Sequence, residues 1–449
     1  MHHSVKTIAA IASPPGTGAV SLIRVSGSDA ATITSSVFRG KPASNWNSRQ
    51  QNFGRIFDQD GDTIDEVLLT WFPSPHSFTG EEVVEIACHG GVVVTGKVLK
   101  AVLAAGAESA EPGEFSQRAF FNGKIDLTQA EAIMDLISAQ TELAMKAANQ
   151  QLEGKLGRDL EQLRQELIGL IAHLEAYIDF PEEDIDPDSN EGLVKRCLEI
   201  SSQIDRWLAT ADQGRILREG VRTVICGAPN AGKSSLLNLL LGFDRAIVNE
   251  RAGTTRDTIE EVINLRGIPL RLVDTAGIRE GGGAIEKEGI QRAFAEIQNA
   301  ELVIHVVDSS AAAPPDSMIE ATSGVRVLTL LNKSDLALHH DWASSEGFPL
   351  SCRSDSDIES LKDFLFESIT SGSRFDSSSL VSINTRHQSC LNRAREAMAA
   401  AESSLSAGVS PEFVAMDLRA ALEAVGDVIG KTDIEEILGE IFSSFCIGK

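Results

Sequence analysis

The sequence predicts a multidomain chain of the α+β and α/β classes: an N-terminal α+β domain, a discontinuous helical domain, and an α/β domain inserted into it. Three observations carry that reading. Short β-rich runs divided by turn residues fill residues 1–115. Leucines then recur at helical spacing. Farther on, a glycine-rich phosphate-loop motif opens a stretch in which strands and helices alternate, the pattern of a parallel sheet covered by helices. At 449 residues the chain has room for roughly three domains.

In the first segment, Val20–Val25 and Val83–Cys88 read as strands, with Ser13-Pro14-Pro15-Gly16 and Gly61-Asp62 as turns between such runs. Cys88 and His89 look like a metal pair, but neighbours on a strand face opposite ways, so Cys88 is expected in the core and His89 at the start of a glycine turn. Over residues 116–215 the period becomes helical. Thr128-x-x-Glu131 is expected to open a helix as a capping box. Leu156, Leu160, Leu163, Leu167, Leu170 and Leu174 trace one face of a long helix that should stop near Phe180-Pro181. Residues 216–375 carry the alternating strands and helices, with the Ser-rich stretch Ser371–Ser379 as a linker. Residues 376–449 are Ala- and Leu-rich and helical again, so the two helical segments are expected to form one domain around the insertion.

Composition bounds the function. Apolar residues make up 42% and charged residues 23%, which excludes a fibrous or wholly disordered chain. Asp and Glu number 65 against 40 Lys and Arg, for a net charge of -25. Such a surface repels phosphodiester backbones and anionic membranes, so contact with nucleic acid needs local basic residues or a partner that supplies them. The run Ile8–Ala12 is too short for a signal-peptide core or a membrane span. Cys88, Cys197, Cys226, Cys352, Cys390 and Cys446 are scattered without a Cys-x-x-Cys pair, which points away from a disulfide framework or structural zinc and toward a reducing cytoplasm. The acidic run Glu182–Asp188 lacks the glycine and terminal glutamate of an EF-hand and reads as a solvated loop.

The strongest local signal is Gly227-Ala228-Pro229-Asn230-Ala231-Gly232-Lys233-Ser234, which fits G-x-x-x-x-G-K-[ST] at every fixed position, with the strand Thr223–Cys226 before it and a helical run from Ser235 after it. The glycines let backbone N–H groups of Asn230 through Ser235 turn toward phosphate oxygens at a helix N-terminus. Lys233 would reach the β- and γ-phosphates, and Ser234 would ligate Mg²⁺. Asp274-Thr275-Ala276-Gly277 follows the strand Leu270–Val273; the aspartate can hold Mg²⁺ through water and Gly277 can bring its N–H to the γ-phosphate. Asn332-Lys333-Ser334-Asp335 follows a third strand, Val325–Leu331. The Asp335 carboxylate can accept from guanine N1–H and the 2-amino group together, and adenine, which offers neither donor, would leave it unpaired. Thr255 is the natural switch threonine for Mg²⁺. Together these motifs specify a Ras-like GTPase domain.

Hydrolysis needs another device than usual. The residue after Asp274-x-x-Gly277 is Ile278, where Ras-like enzymes place a water-orienting glutamine. Asn230 can help hold a monovalent cation, and Arg279, Glu280 and Glu286 lie downstream beside Gly281-Gly282-Gly283.

These motifs, with Ala252-Gly253-Thr254-Thr255-Arg256-Asp257, Ser77-Phe78-Thr79-Gly80-Glu81-Glu82, His89-Gly90-Gly91, Glu111-Pro112-Gly113-Glu114-Phe115, Arg118-Ala119-Phe120 and the terminal Cys446-Ile447-Gly448-Lys449, make the chain resemble the MnmE (TrmE) family of tRNA-modification GTPases over almost its whole length. The resemblance implies a folate-binding, dimer-forming domain at 1–115, a helical domain of 116–215 and 376–449, and a GTPase domain at 216–375. It implies an FAD-containing MnmG-like partner, and addition of an aminomethyl or carboxymethylaminomethyl group to C5 of the wobble uridine of certain tRNAs. It implies potassium held by the side chains of Asn230 and Thr254 and the carbonyls of Asn249 and Arg251, and a water-positioning Glu286. Arg24, Glu85, Lys124 and Lys449 match positions that contact 5-formyltetrahydrofolate. The guanine-backing loop departs from Ser-Ala-Lys and reads Ser351-Cys352-Arg353; its work falls to a backbone N–H, so Cys352 is tolerated. Cys446 reads as a reactive thiol on a tail, with a small buried hydrophobe beside Phe445 as the alternative. A GTP-dependent assembly or signalling switch without modification chemistry is the second functional reading.

Overall fold

The computed structural model describes residues 6–179, 190–244, 260–273, 296–313, 324–354, 357–370, 383–431, 441–443, 445, 447 and 448. It divides into two units. One comprises Met1–Met134, Gly154–Ile185 and Ser410–Lys449; the other comprises Asp135–Glu153 and Asp186–Val409.

The first unit opens with a seven-stranded sheet built from β1 (Ile8–Ile11), β2 (Val20–Ser26), β3 (Phe38–Gly40), β4 (Gln51–Phe57), β5 (Thr63–Phe72), β6 (Val83–His89) and β7 (Glu108–Ser109). The order is β3-β4-β5-β6-β2-β1-β7. Pairing is antiparallel except for β1 with β7. The expected strands at Val20 and Val83 are thus central, and β2 sets Arg24 directly opposite Glu85 of β6. Alternation along these strands sends Ile23, Val25, Ile56, Leu69 and Ile86 inward, where they pack with Val98 and Val102 of α2 (Val92–Ala104), while α1 (Ala30–Val37) contributes Ala30 and Ile33. Cys88 is in this core, and its thiol is pushed above its ordinary value by burial. His89 is exposed, with Nδ1 at 2.7 Å from Asp65 Oδ1.

Beyond α3 (Glu114–Phe121) comes α4 (Leu127–Ser138), whose start corrects the expected capping box. Asp126, not Thr128, caps it: Gln129 N donates to Asp126 Oδ1 (2.9 Å), and Asp126 N donates back to Gln129 Oε1 (3.0 Å). The box is offset by two residues because Asp126 outranks Thr128 as an acceptor and Gln129 stands at the reciprocal position. Helix α5 (Glu142–Leu152) belongs to the second unit, and the first resumes with α6 (Lys155–Asp179), which carries the leucine stripe with all six leucines buried. Helix α6 packs along a later helix of the same unit, Pro411–Ile429.

The C-terminal tail folds back onto this unit. Ile447 bridges Pro112, and Phe442 and Phe445 pack with Leu127 and Ala130. Gly113 has φ +70, and a side chain there would run into Phe442.

In the second unit, α7 (Asn190–Leu208) and α8 (Ala211–Glu219) lead into a six-stranded sheet of β8 (Val221–Cys226), β9 (Glu260–Leu265), β10 (Ile268–Val273), β11 (Leu302–Asp308), β12 (Arg326–Asn332) and β13 (Phe348–Leu350). Its order is β13-β12-β11-β8-β10-β9. All neighbours are parallel except β9, an antiparallel edge strand joined to β10 through Arg266 and Gly267, both at positive φ. Strands β8 and β11 are buried between neighbours, and β11, Leu302–Asp308, is apolar but for His305 and its terminal Asp308. Helices α9 (Lys233–Asp244) and α10 (Ile358–Thr370) bury Leu236, Leu240, Leu361 and Leu365 in the core of this sheet. Helix α11 (Thr385–Ser406) opens with a capping box of Asn384 and His387 and packs against α7. The later helix that lies along α6 is α12 (Pro411–Ile429). No described helix is long and apolar enough to cross a membrane.

Candidate functional site

The phosphate loop joins the C-terminal end of β8 to the first turn of α9, a helix N-terminus of the kind that favours an anion. Two glycines make its curl possible. Gly227 has φ +139, and a Cβ there would overlap the Val306 carbonyl oxygen; Gly232 has φ +106, and a Cβ there would overlap Asn332 Nδ2. Asn230 takes φ +60, a conformation asparagine tolerates better than most residues. Ala231 is buried, whereas Ser234 and Ser235 are exposed on the first turn of the helix. Lys233 Nζ donates to Ala228 O at 2.7 Å, which lays the ammonium across the loop.

The guanine-side motif is fastened to this loop by one side chain. Asn332 is buried at the end of β12; its Nδ2 donates to Ala231 O (2.7 Å), and its Oδ1 accepts from Cys352 N (3.2 Å). One amide thus ties the phosphate loop, the Asn332–Asp335 turn and the Ser351–Arg353 loop together. Lys333, at φ +65, forms an ion pair with Asp308 at the end of β11. That pair, with hydrogen bonds from Ser310, holds the Asp308 carboxyl below its ordinary value even though burial pushes the other way. Asp335 is exposed and its Oδ1 accepts from Ser351 Oγ at 2.8 Å. The Cys352 thiol is pushed up to about 11 by burial, so it stays protonated at neutral pH.

The expected sites at Asn249, Arg251, Thr254, Thr255, Asp274, Thr275, Ala276, Gly277, Glu286, Cys446 and Lys449 lie outside the described residues, as do Ile278, the Gly281-Gly282-Gly283 segment, the Glu182–Asp188 run and the Ser371–Ser379 linker.

In the other unit, Arg24 stands at the centre of a second cluster. Its Nε and Nη2 donate to Glu85 Oε1 (3.0 and 2.8 Å), Nη1 faces Gly448 O at 3.5 Å, and its guanidinium lies over the rings of Phe78 and Phe115. Lys124 is exposed and donates to Pro75 O (3.1 Å), with its stem against Gly80. Arg24, Glu85 and Lys124 therefore gather around the Ser77–Glu82 loop, and the tail brings Gly448 to the same place.

A network that no expected site included supports this cluster. Arg118, nine-tenths buried, pairs with Glu81 (3.1 Å) and Glu114 (2.7 Å), and Glu81 also accepts from Ser26 Oγ (2.7 Å). The signal was present in the spacing: Glu114 and Arg118 stand one helical turn apart in α3. Among the described residues the metal-ligating cluster is His339, His340 and Asp341 on an exposed turn, and there His339 Nδ1 caps the turn by accepting from Asp341 N.

Comparison with known proteins bears on both units. The family profile of the MnmE helical domain matches residues 127–446, and that of the GTP-binding protein TrmE N-terminus matches residues 7–124. A tRNA modification GTPase MnmE from Akkermansia muciniphila is 47% identical over 445 residues, covering 99% of both chains. The chain belongs to the MnmE family of tRNA modification GTPases. A second MnmE, from Geobacter sulfurreducens, is 43% identical over 451 residues, again with 99% of each chain covered. Among solved structures, Aquifex aeolicus Era bound to GDP and an aluminium fluoride aligns with 40% of this chain and 66% of its own at 22% identity, with a TM-score of 0.27. As an MnmE-family protein the chain is a GTP hydrolase acting in tRNA modification, and its fold is the multidomain α+β and α/β class.

Proposed function

We propose that this chain couples potassium-stimulated GTP hydrolysis to a folate-linked modification of the wobble uridine of tRNA, as a homodimer working with an FAD-containing MnmG-like partner in the cytoplasm. The observation that carries the reading is the full-length 47% identity to a tRNA modification GTPase, on a chain whose phosphate loop and guanine motif share one buried asparagine.

The residues fit the nucleotide. The glycine cradle closed to any Cβ at Gly227 and Gly232 leaves room for phosphate oxygens against the backbone. Ala231, Gly232, Lys233, Ser234 and Ser235 would bind the phosphates, and Asn332, Lys333, Asp335, Ser351 and Cys352 the base. Ser234 and Thr255 would hold Mg²⁺, which would supply positive charge to the β- and γ-phosphate oxygens during cleavage. Lys233 binds the same oxygens. Asn230, Asn249, Arg251 and Thr254 would hold potassium, which would supply a further positive charge where Ile278 cannot help, and Glu286 would orient the attacking water. Asp274 through Gly277 sense the γ-phosphate. The domain organisation proposed is 1–115, 116–215 with 376–449, and 216–375.

Around Arg24, the exposed ring of Phe78 and the paired Glu85 suit a flat heterocycle bearing both donors and acceptors, the chemistry of a pterin, while the buried Phe115 ring backs the guanidinium from the core. Arg24, Glu85, Lys124 and Lys449 are assigned to 5-formyltetrahydrofolate or a related donor, and Cys446 to a reactive thiol that acts with it.

The deciding experiment is mass analysis of tRNA nucleosides from cells lacking this chain, with rescue by the wild type and by Cys446→Ser. Loss of the C5 group that only the wild type restores is the expected result; an unaltered wobble uridine overturns the modification role. In purified protein, replacing potassium by sodium is expected to slow hydrolysis, and Glu286→Ala to slow turnover by about 100-fold while GTP binding persists. Equal rates in both salts would remove the potassium assignment.

A further inference from the structure

The loop whose serine holds the guanine-side carboxylate is itself held by a second carboxylate from outside the motif. Asp357 immediately precedes α10, six residues after Ser351, and its Oδ2 accepts the Ser351 backbone N–H at 3.2 Å. Ser351 is buried at the end of β13, and its Oγ donates to Asp335 Oδ1 at 2.8 Å. The same short loop is pinned on its other side, where Cys352 N donates to Asn332 Oδ1 and Ser354 N to Ser351 O (3.0 Å). The two strands beneath it are registered as Asn332 opposite Leu350, with Ser334 N donating to Leu350 O (3.1 Å).

The geometry points to Asp357 as a positioning residue for guanine recognition: it fixes the Ser351 backbone, so that the Ser351 hydroxyl holds the Asp335 carboxylate in the orientation that accepts both guanine donors.

The physical reason is that Asp335 is exposed and has freedom to turn. A carboxylate that must accept two parallel N–H bonds has to keep both oxygens in the plane of the base, and each degree of freedom left to it weakens that paired contact. Ser351 restrains one oxygen. A serine hydroxyl on a mobile loop would itself wander, and β13 is only three residues long, Phe348–Leu350, too short to hold the Ser351–Arg353 loop by itself. The Asp357 carboxylate supplies the missing anchor on the N–H of the very residue whose hydroxyl does the holding. Its charge strengthens that bond and also suits the start of α10.

This inference rests on the assignment of Asp335 to guanine, and the test separates the two. Steady-state hydrolysis is measured for GTP and for ITP, which lacks the 2-amino group, in the full-length protein and in Asp357→Gly and Asp357→Asn. Glycine removes the acceptor while remaining acceptable at a helix start; asparagine keeps an acceptor oxygen. In Asp357→Gly the KM for GTP is expected to rise about fivefold to tenfold, kcat to stay within about twofold, and the GTP-over-ITP ratio of kcat/KM to fall by a similar factor of about five. Asp357→Asn is expected to retain most of the ratio. A general loss of folding would move both substrates together and would not be rescued by asparagine. A wild-type ratio with Asp357→Gly overturns the positioning role. A wild-type protein that does not distinguish GTP from ITP overturns the Asp335 assignment instead. If Asp357→Gly cannot be purified, Asp357→Ala gives the same comparison, and a fall in ratio with Asp357→Asn equal to that with alanine also counts against the role.

Discussion

At the scale of single residues, space and backbone angle decide which glycines matter. Gly232 combines φ +106 with a neighbour, Asn332 Nδ2, in the place its Cβ would take. Gly232→Ala is therefore expected to displace the asparagine that joins the phosphate and guanine loops and to weaken GTP binding by more than about 100-fold in a titration with a fluorescent nucleotide. Gly242 is the opposite case. It lies exposed on α9 with nothing near its Cβ position, so Gly242→Ala should raise stability by about 0.5–1 kcal/mol in thermal unfolding and leave KM for GTP unchanged. Buried thiols give a pH signature. Burial, helped by the Glu402 carboxylate and opposed by Arg196, pushes the Cys197 thiol from 9.0 up to about 11, and burial does the same to Cys352. A folded thiol that keeps its proton where the unfolded one loses it contributes stability in full below pH 9, and that contribution drains away as pH rises to about 11. Unfolding midpoints measured from pH 8 to pH 11 should fall, and Cys197→Ala should flatten the fall.

At the scale of elements, helix α6 and the start of α4 show what periodicity can and cannot settle. The six leucines from Leu156 to Leu174 obey one geometric rule and were legible because burial on a helix face needs only spacing. Leu167→Ala is expected to cost about 2–5 kcal/mol in denaturant unfolding, since its side chain is fully buried between packed helices. The cap of α4 depends instead on which of two nearby boxes the chain adopts, and Asp126-Gln129 prevails over Thr128-Glu131 by two residues. Asp126→Ala should cost about 1–2 kcal/mol, and Thr128→Ala less; equal losses would return the cap to Thr128. The antiparallel edge strand β9 escaped sequence reading for a related reason: β9 and β10 carry the same apolar alternation that a parallel strand could, and only the two-residue turn at Arg266-Gly267 sets their direction. The phosphate loop was fully legible because its glycines are demanded by backbone geometry. The Asp357–Ser351–Asp335 relay was not, because it rests on how a loop folds and leaves no period in the sequence.

At the scale of the whole molecule, charge is the dominant fact. With 65 acidic and 40 basic residues, the chain carries a net charge of -25 and must work with a polyanion of the same sign. Each phosphate that a protein neutralises makes the logarithm of affinity fall with the logarithm of salt by a slope of about 0.9 on a duplex. A chain whose acidic residues outnumber its basic ones by 65 to 40 surrounds each basic residue with opposing charge and so neutralises fewer phosphates. Several of its arginines are already committed inside the fold: Arg24 to Glu85, Arg118 to Glu81 and Glu114, Arg222 to Glu296. The purified chain alone is thus expected to bind tRNA weakly, with a salt slope of magnitude below about 3, and the slope should steepen when the proposed MnmG-like partner is added. Filter binding or fluorescence anisotropy between 50 and 300 mM potassium chloride, roughly the range over which such slopes are read, measures both quantities. Tight binding by the chain alone with a steep slope would mean that its remaining basic residues are gathered into a tRNA surface of their own, and the division of labour with the partner would have to be reversed.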